Sequence, residues 1–308
     1  MIKPKALKPG DEIRVVTPAS PIRHDQAVDG IALLESQGYK ITYGEHIWAA
    51  DGYLAGPDEA RAADFQAAFD DPNVAAVMCS RGGYGCARLI EHLDLDRIAA
   101  SGKAMCGFSD VTTLHLALNR RGLVTYHTPM LITLSVEREP WVIESLLNIL
   151  KGEDPIPAAA TRAETLHPGT ASGVITGGCM CLVCDSLSTL DPIEAEGKLL
   201  LLEDVDENPH RVDALFTHLR NVGILQNAAG IVIGEMTGTD ERADEKIGAW
   251  PWRKIVEDRL KGINVPAVVN FPFGHMKTML SIPFGVEATL DADAGTLKIT
   301  ESICAVSS

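Results

Sequence analysis

The chain has 308 residues, of which 46% are hydrophobic and 22% are charged, so it can bury a core large enough for two domains. The formal net charge of −15 argues against nucleic acid and anionic membranes as partners, because both need a basic protein surface. No apolar run reaches the ~20 residues that span a bilayer, and no secretory signal is apparent at the start, so we expect a cytoplasmic protein.

Strands and helices alternate through the first half of the chain. The pattern of apolar residues predicts strands over residues 12–17, 74–79 and 104–106 and helices over 25–37, 58–69, 86–92, 111–121 and 139–151. This alternation is typical of a doubly wound parallel sheet. We therefore predict the α/β fold class.

A glycine-rich loop, Ser80 to Gly85, directly follows the predicted strand 74–79. It can be a mere tight turn, or its amides can point at an anion, because glycine permits close approach of the backbone. The loop lacks the lysine of a phosphate-binding P-loop and the spacing of a dinucleotide fingerprint. We therefore favour an oxyanion or a carboxylate as its ligand, and we expect no cofactor.

The turn Gly107-Phe108-Ser109-Asp110 places a serine where a strand changes abruptly into a helix. A serine in this position exposes its hydroxyl beside the free amides of the first helical turn, which is the geometry of a nucleophile. The alternative is that Ser109 or Asp110 only caps the helix. The usual nucleophile elbow of lipases and esterases also has a second glycine, where this chain has Val111.

The second half of the chain is predicted to be a separate domain that is richer in β structure. Residues 152–173 carry several prolines and no periodicity, so we place a linker at 156–171, between domains 1–155 and 172–308. The elements predicted beyond it are strands over residues 198–204 and 230–235 and from 265, helices over 209–222 and 252–260, and a hairpin over 285–300.

Three neighbouring cysteines, Cys179, Cys181 and Cys184, suggest a metal cluster at first sight. Their spacing matches neither the usual zinc nor the usual iron–sulfur patterns, and apolar residues surround them. The total of seven cysteines is odd, which suits reduced thiols in a cytosol better than a disulfide framework. We therefore expect buried thiols and no metal.

Two later segments deliver residues that could complete a serine nucleophile. An apolar run ending in Glu203 and Asp204 is typical of a strand buried on both faces, and a Pro/Gly-punctuated loop after another strand delivers His275. Because neighbouring side chains of a strand point to opposite sides, at most one of Glu203 and its rival Asp204 should reach His275. Nucleophile, acid and base candidates thus each follow a strand's carboxyl end, where α/β sheets assemble their sites.

Four motifs resemble, in sequence and in order, those of the LD-carboxypeptidase family of serine peptidases. The motifs are Ser80-Arg81-Gly82-Gly83-Tyr84-Gly85, Gly107-Phe108-Ser109-Asp110, Leu202-Glu203-Asp204-Val205-Asp206-Glu207 and Phe273-Gly274-His275. The similarity covers nearly the whole chain, and the length fits the branch of murein tetrapeptide carboxypeptidases.

The resemblance implies an N-terminal Rossmann-like sheet, a C-terminal barrel-like domain and, commonly, a homodimer. It implies Ser109 as the nucleophile, His275 as the general base and Glu203 as the carboxylate that orients the histidine. The implied reaction is hydrolysis of the amide that joins the L-centre of a diamino acid to a terminal D-alanine in cytoplasmic murein tetrapeptides.

The resemblance also assigns roles around the glycine-rich loop. The amides of Asp110 and of Gly82 or Gly83 would line the oxyanion hole. A carboxypeptidase must bind the free carboxylate of its substrate, and Arg81 is our candidate because guanidinium groups pair bidentately with carboxylates. The alternative for Arg81 is a structural ion pair.

Some positions depart from the family pattern. The family usually has Gly-Gly-Asn, tyrosine, arginine and His-Gly-Pro where this chain has Gly177-Gly178-Cys179, His210, Ala214 and His127-Thr128-Pro129. None of these positions belongs to the implied triad, so we still expect hydrolysis, but they leave several substrates possible. A microcin-immunity-type peptidase acting on peptidyl-nucleotide conjugates, a broad α/β-hydrolase-type esterase or amidase, and a non-catalytic peptide-binding module are the alternatives.

Overall fold

The structure, a computed structural model, describes residues 1–244 and 246–305. Its strands are β1 (Glu12–Val16), β2 (Lys40–Tyr43), β3 (Val74–Cys79), β4 (Ala104–Gly107), β5 (Thr125–His127), β6 (Glu164–His167), β7 (Thr170–Cys179), β8 (Leu199–Val205), β9 (Gly230–Thr237), β10 (Ala267–Val269), β11 (Ile282–Phe284), β12 (Glu287–Asp291) and β13 (Thr296–Ile299).

The α-helices alternate with these strands through much of the chain. They are α1 (Val28–Ser36), α2 (Asp58–Asp70), α3 (Leu95–Ala100), α4 (Thr112–Arg120), α5 (Leu131–Leu134), α6 (Pro140–Lys151), α7 (Met180–Ser186), α8 (Pro209–Asn221), α9 (Ile224–Asn227) and α10 (Trp252–Leu260). Short 3₁₀ helices span His24–Gln26, Cys86–His92, Ser109–Val111 and Asp240–Arg242. Within the described ranges, no helix combines the length and hydropathy needed to cross a bilayer.

The chain divides into two compact units. Unit 1 comprises residues 1–158, residues 280–285 and the segment that begins at Ser302, and unit 2 comprises residues 159–279 and 286–301. Unit 1 contains a mainly parallel six-stranded sheet, and unit 2 contains a mixed seven-stranded sheet. The predicted α/β fold class is therefore confirmed.

The sheet of unit 1 has the strand order β11-β5-β4-β3-β1-β2. Strands β1 to β5 are parallel, and β11 is antiparallel to β5 at the edge. The direction of winding reverses between β1 and β3, and doubly wound sheets bind ligands in the crevice at such a switch point. The loops that begin at Thr17 and Ser80 follow these two strands.

Helix α6 shows how the local sequence forms the layers that cover this sheet. Pro140 begins the helix, where its missing N–H has no intrahelical partner to lose, and Gly152 ends it with φ 74°. An apolar stripe between the two ends is buried, and it consists of Trp141, Val142, Leu146, Ile149 and Leu150. Burial of this stripe holds the helix in place.

The sheet of unit 2 has four parallel strands, β7 to β10, at its centre. Strands β12 and β13 extend it on one side and β6 on the other, in antiparallel pairings. A Cβ atom at Gly177 would lie 1.8 Å from the Leu201 carbonyl oxygen, so glycine permits the close approach of β7 and β8. The register of β8 against β9 shifts between Leu202 and Asp204, which places a bulge opposite Glu203.

The structure departs from the sequence predictions in several segments. The helix predicted over 25–37 is a 3₁₀ turn followed by α1, and the segment 86–92 is 3₁₀ rather than α-helical. The segment predicted to be a linker contains β6, which pairs with β10, and β7 begins at Thr170. Strand β11 lies within the predicted second domain but pairs with β5 in unit 1. Strands β6 and β11 are short and pair with residues about a hundred or more positions away, so local periodicity does not predict them.

Candidate active site

The turn after β4 holds Ser109 in an unusual backbone conformation. Ser109 has φ 65°, in the left-handed region that residues other than glycine seldom adopt. Left-handed residues at functional turns cost on the order of 1–3 kcal/mol and persist only when the surroundings enforce them. The N-cap position is held by Phe108, not by Ser109 or Asp110. This geometry favours the nucleophile interpretation over the capping one.

Gly82 lies directly against the Ser109 side chain. A Cβ atom at position 82 would lie 2.8 Å from Ser109 Cβ, 3.0 Å from Ser109 Oγ and 3.3 Å from the Asp110 amide nitrogen. Any larger residue would therefore displace the serine. The structure thus brings three residues of the sequence prediction together within unit 1.

The loop after β1 holds the glycine-rich loop in place. Thr17 Oγ1 and Ser80 Oγ share a hydrogen bond of 2.9 Å, and the Ser20 amide donates to the Gly82 carbonyl at 3.3 Å. The Tyr84 amide in turn donates to Ser20 Oγ at 3.2 Å. The two loops at the switch point of the sheet therefore form one hydrogen-bonded structure.

Arg61 on α2 is the largest fully buried side chain that the sequence analysis missed. Its guanidinium donates to the carbonyls of Gly56 (3.2 Å), Gly85 (3.1 Å) and Pro18, and it pairs with Asp58. It thus ties the glycine-rich loop to the loop after β1. The signal in the sequence was an arginine on the same helical face as the apolar residues of α2, where a surface cation is not expected.

Arg81 is half-buried and donates to backbone oxygens. Its Nη1 donates to the Pro21 carbonyl at 3.0 Å and its Nε to the Gly82 carbonyl at 3.3 Å. Burial and the neighbouring charge of Arg23 both lower the pKa of Arg81. The ion pairs described for the chain do not include Arg81, so these contacts do not favour the structural ion-pair interpretation.

The carboxylate of Asp110 serves a different helix from the one predicted. Asp110 is buried, and its Oδ2 accepts a 2.7 Å hydrogen bond from the Cys86 amide, which begins the 3₁₀ helix after the glycine-rich loop. The alternative interpretation, that Asp110 caps its own helix, is therefore wrong, because the amide of the distant Cys86 binds its carboxylate instead. Burial raises the pKa of Asp110.

His115 is buried, and both of its ring nitrogens form hydrogen bonds within the protein. Its Nδ1 lies 2.7 Å from Thr125 Oγ1, and its Nε2 lies 2.9 Å from the carbonyl oxygen of Gly107, two residues before Ser109. Burial lowers the pKa of His115 from 6.5 to about 4, so the ring is neutral at pH 7. A neutral imidazole therefore supports the carboxyl end of β4.

In unit 2, Glu203 and His275 form a short hydrogen bond. His275 Nδ1 lies 2.6 Å from Glu203 Oε2, and the His275 amide donates to the same oxygen at 3.2 Å. Burial lowers the pKa of His275, but the charge and hydrogen bond of Glu203 outweigh it, so the net pKa is above 6.5. A fully buried carboxylate thus fixes the orientation of the imidazole.

Gly274 makes this contact possible. It has φ 95°, and a Cβ atom there would lie 2.4 Å from Glu203 Oε2. Asp204 is directed elsewhere, since its Oδ2 accepts from the Cys181 amide at 2.9 Å. Burial raises the pKa of Asp204 to about 6. Glu203 is thus the carboxylate on His275, and only one of the two neighbouring carboxylates reaches the histidine, in agreement with the alternation of side chains along β8.

Comparison with known proteins assigns the family. Residues 13–128 match the LD-carboxypeptidase N-terminal domain, and residues 172–290 match the LD-carboxypeptidase C-terminal domain. A putative carboxypeptidase of Streptomyces coelicolor is 37% identical over 305 residues, covering 97% of this chain and 96% of the relative. A probable murein peptide carboxypeptidase of Bacillus subtilis is 32% identical over 305 residues, covering 98% of this chain and 95% of the relative.

A solved structure has the same fold. The structure of MccF in complex with glutamyl sulfamoyl guanosine superposes with a TM-score of 0.87 at 22% identity, covering 99% of this chain and 100% of that one. The family models and the relatives confirm the resemblance seen in the four motifs. The chain belongs to the LD-carboxypeptidase family of serine peptidases.

Proposed function

We propose that this family member hydrolyses the amide bond between the L-centre of a diamino acid and the terminal D-alanine of murein tetrapeptides. Ser109 is the nucleophile, His275 the general base and Glu203 the group that orients it. The observation that carries the proposal is the 2.6 Å hydrogen bond between Glu203 and His275 Nδ1. It fixes the tautomer in which Nε2 accepts a proton, as serine hydrolases require.

The reaction follows the usual acyl-transfer sequence. Ser109 Oγ attacks the scissile carbonyl carbon while its proton passes to His275 Nε2. His275 then gives this proton to the nitrogen of D-alanine, the carbon–nitrogen bond breaks, and an acyl-serine ester remains. Water activated by the same histidine hydrolyses the ester and restores the serine.

The amides of Asp110 and of Gly82 or Gly83 are our proposed donors to the tetrahedral oxyanion. The close approach of Gly82 to Ser109 and to the Asp110 amide supports this assignment. Each donor aligned on the developing charge is worth roughly 3 kcal/mol of barrier lowering.

Arg81 is our proposed ligand for the free carboxylate of the substrate. Only two of its five N–H donors appear in its described hydrogen bonds, and the charge of Arg23 is near enough to lower its pKa. The neighbouring Arg23 pairs with Asp25 at 3.0 Å, so Arg81 supplies the positive charge that attracts an anionic peptide terminus in a protein of net charge −15.

The test is release of D-alanine from a murein tetrapeptide, compared between the wild type and Ser109→Ala. We expect the wild type to release D-alanine and the variant to lose on the order of 10⁴-fold or more in turnover while remaining folded. A matched peptide ending in L-alanine should react slowly. Equal turnover of the two peptides would favour a broad amidase, and wild-type turnover by Ser109→Ala would refute the assignment of the nucleophile.

The second candidate is cleavage of a peptidyl-nucleotide conjugate. The close structural likeness to MccF, whose solved complex contains glutamyl sulfamoyl guanosine, supports it. The 32% identity to a probable murein peptide carboxypeptidase favours the murein substrate. Incubation with both substrate types, followed by mass spectrometry of the products, distinguishes them, and binding without any product would indicate a non-catalytic module.

We also infer that the protein is a cytoplasmic homodimer that acts in the recycling of cell-wall peptides. All seven cysteines are free thiols, which supports a reducing compartment. The homodimer follows from the family resemblance. Light scattering on the purified protein tests it, since a mass near 33.0 kDa would mean a monomer.

A further inference from the structure

Two thiols and one carboxylate form a cluster where β7, α7 and β8 meet in unit 2. Cys179 Sγ lies 3.4 Å from Cys181 Sγ and 3.5 Å from Asp204 Oδ1. One potential ligand atom from each residue lies within 4.8 Å of the other two. Cys179 and Asp204 are buried, whereas Cys181 is partly exposed and gives solvent access to the cluster.

The two separations from Cys179 Sγ match two edges of a tetrahedral metal site, and the third pair of ligand atoms lies within 4.8 Å. Zinc binds thiolate sulfur at about 2.3 Å and carboxylate oxygen at about 2.1 Å. Tetrahedral angles then place two sulfur ligands about 3.8 Å apart and a sulfur and an oxygen about 3.6 Å apart. Both distances in the cluster are within roughly 0.4 Å of these values, a difference that small side-chain rotations can supply.

The backbone holds the three groups in this arrangement. The pairing of β7 with β8 places Cys179 opposite Glu203, next to Asp204. The Asp204 carboxylate accepts hydrogen bonds of 2.9 Å from the amides of Cys181 and Val205, so its orientation is fixed. Outer hydrogen bonds of this kind orient carboxylate ligands in metal sites.

Metal binding leaves the local charge unchanged. Two thiols lose their protons to solvent as two metal–sulfur bonds form, so the two positive charges of the ion balance the two new thiolates. This matters because the cluster adjoins the buried carboxylate of Glu203, where additional negative charge would be costly.

We infer that Cys179, Cys181 and Asp204 form a binding site for a thiophilic divalent cation of the Zn²⁺ class, with solvent as the fourth ligand. Cysteine spacing alone predicted no metal, because Asp204 is distant in sequence and the fold brings it to the thiols. Cys184 lies on α7 together with Cys181 but outside the cluster, and its Sγ is 3.7 Å from the Leu215 carbonyl oxygen.

The test is titration of the reduced, metal-free protein with Cd²⁺, followed through the ultraviolet thiolate-to-cadmium charge-transfer band, with competition by Zn²⁺. We expect one equivalent to bind. Cys181→Ser should weaken Zn²⁺ binding by about 100-fold and lose about half of the band, and Asp204→Asn should weaken binding by about 10-fold. The matched control Cys184→Ser should bind within about 2-fold of the wild type.

Three results would overturn the proposal. They are absence of the charge-transfer band in the wild-type protein, wild-type affinity in Cys181→Ser, and a loss in Cys184→Ser as large as that in Cys181→Ser. Circular dichroism establishes that each variant is folded. Because the readout is metal binding and not peptide cleavage, failure here leaves the proposed hydrolysis untouched.

Discussion

The Ser109 turn in unit 1 and the Glu203–His275 pair in unit 2 are stabilised by different physical means. Around Ser109 the backbone and close packing dominate, with a left-handed serine, a glycine in contact with its side chain and two loops joined by uncharged hydrogen bonds. Around His275 charge dominates, because a fully buried carboxylate keeps the imidazole pKa above 6.5. We therefore expect the first region to be sensitive to side-chain volume and the second to charge and pH.

Glu203→Gln tests the role of charge in unit 2, and we expect the largest effect here. The substitution keeps the volume and removes the charge, so kcat should fall by about 10⁴-fold, as it does when a triad acid becomes an amide. Loss of the charge lowers the pKa of His275, so the residual activity should persist to lower pH than in the wild type. The measurement is the dependence of kcat/KM on pH for both proteins.

Asp206→Asn is the matched control for this prediction. Asp206 is exposed and also raises the pKa of His275, but through charge alone and as a minor contributor. We expect nearly wild-type turnover and a small shift of the pH profile. Equal effects of the two substitutions would contradict the special role of the buried hydrogen bond.

Gly82→Ala tests the role of volume in unit 1. The added methyl group would meet Ser109 Cβ at 2.8 Å, so the serine must move away from its amide donors. We expect kcat to fall by about 10²- to 10³-fold, comparable to the loss of one oxyanion donor. The control is Gly52→Ala, where the methyl group meets nothing within 4 Å and only the positive φ of 60° opposes the substitution, so kcat should stay near the wild-type value. Wild-type kcat in a folded Gly82→Ala protein would show that volume does not matter here.

Arg61 tests the comparison between the two units further, because it is a buried charge in unit 1. Its guanidinium holds the backbone of the loops around Ser109 through hydrogen bonds to carbonyls. Arg61→Lys keeps the charge but loses the fork that reaches three carbonyls, so we expect about a tenfold loss in kcat with little change in KM. Arg61→Met should lower the free energy of unfolding by roughly 3 kcal/mol or more. Kinetics and urea unfolding measure these effects.

The control for Arg61 is Arg88→Lys, because Arg88 contacts the same Asp58 carboxylate but is nearly half exposed. We expect little change in kcat or in stability from this substitution. Similar losses in both arginine variants would assign the effect to Asp58 and not to the loops.

The pKa values of His115 and His275 move in opposite directions, and that of His115 gives a prediction about stability. The folded state keeps the pKa of His115 near 4, whereas the unfolded chain titrates near 6.5. The unfolded state therefore binds a proton first as pH falls, and stability present above pH 6.5 is lost toward pH 4. The loss is about 1.4 kcal/mol per pH unit in this window.

His115→Gln isolates this contribution. Urea unfolding of the wild type and the variant, across the pH range between the two pKa values, gives the difference in stability at each pH. That difference should shrink as pH falls, because only the wild type loses stability through His115. A difference that stays constant would mean that His115 titrates normally in the folded protein.

Much of the local structure could be predicted from the sequence, and the long-range contacts could not. Strand β3 and helix α10 have the predicted bounds, because periodicity and breaking residues specify them. The turn at Ser109 was also visible, since it depends on neighbouring residues. The pairing of β6 with β10 and the partner of Asp110 depend on residues far apart in the chain.

The same limit applies to the candidate site. The order of the four motifs, which resembles that of the family, indicated Ser109, Glu203 and His275 as site residues. The role of Arg61 came only from the structure. Its three carbonyl partners lie on separate loops, and a carbonyl is present at every position of a chain. Because any residue can supply such an acceptor, the identities of the partner residues do not predict a contact between a side chain and the backbone.

Strand β11 has a consequence for how the protein is made. Residues 282–284 complete the sheet of unit 1, so β5 keeps an open edge until the chain has been synthesised past residue 284. Protein synthesis at about 5–20 residues per second delays this closure by about 8–30 s after β5 appears. During this interval the nascent N-terminal half is exposed to edge-to-edge association, and a chain truncated after residue 158 would retain that hazard permanently.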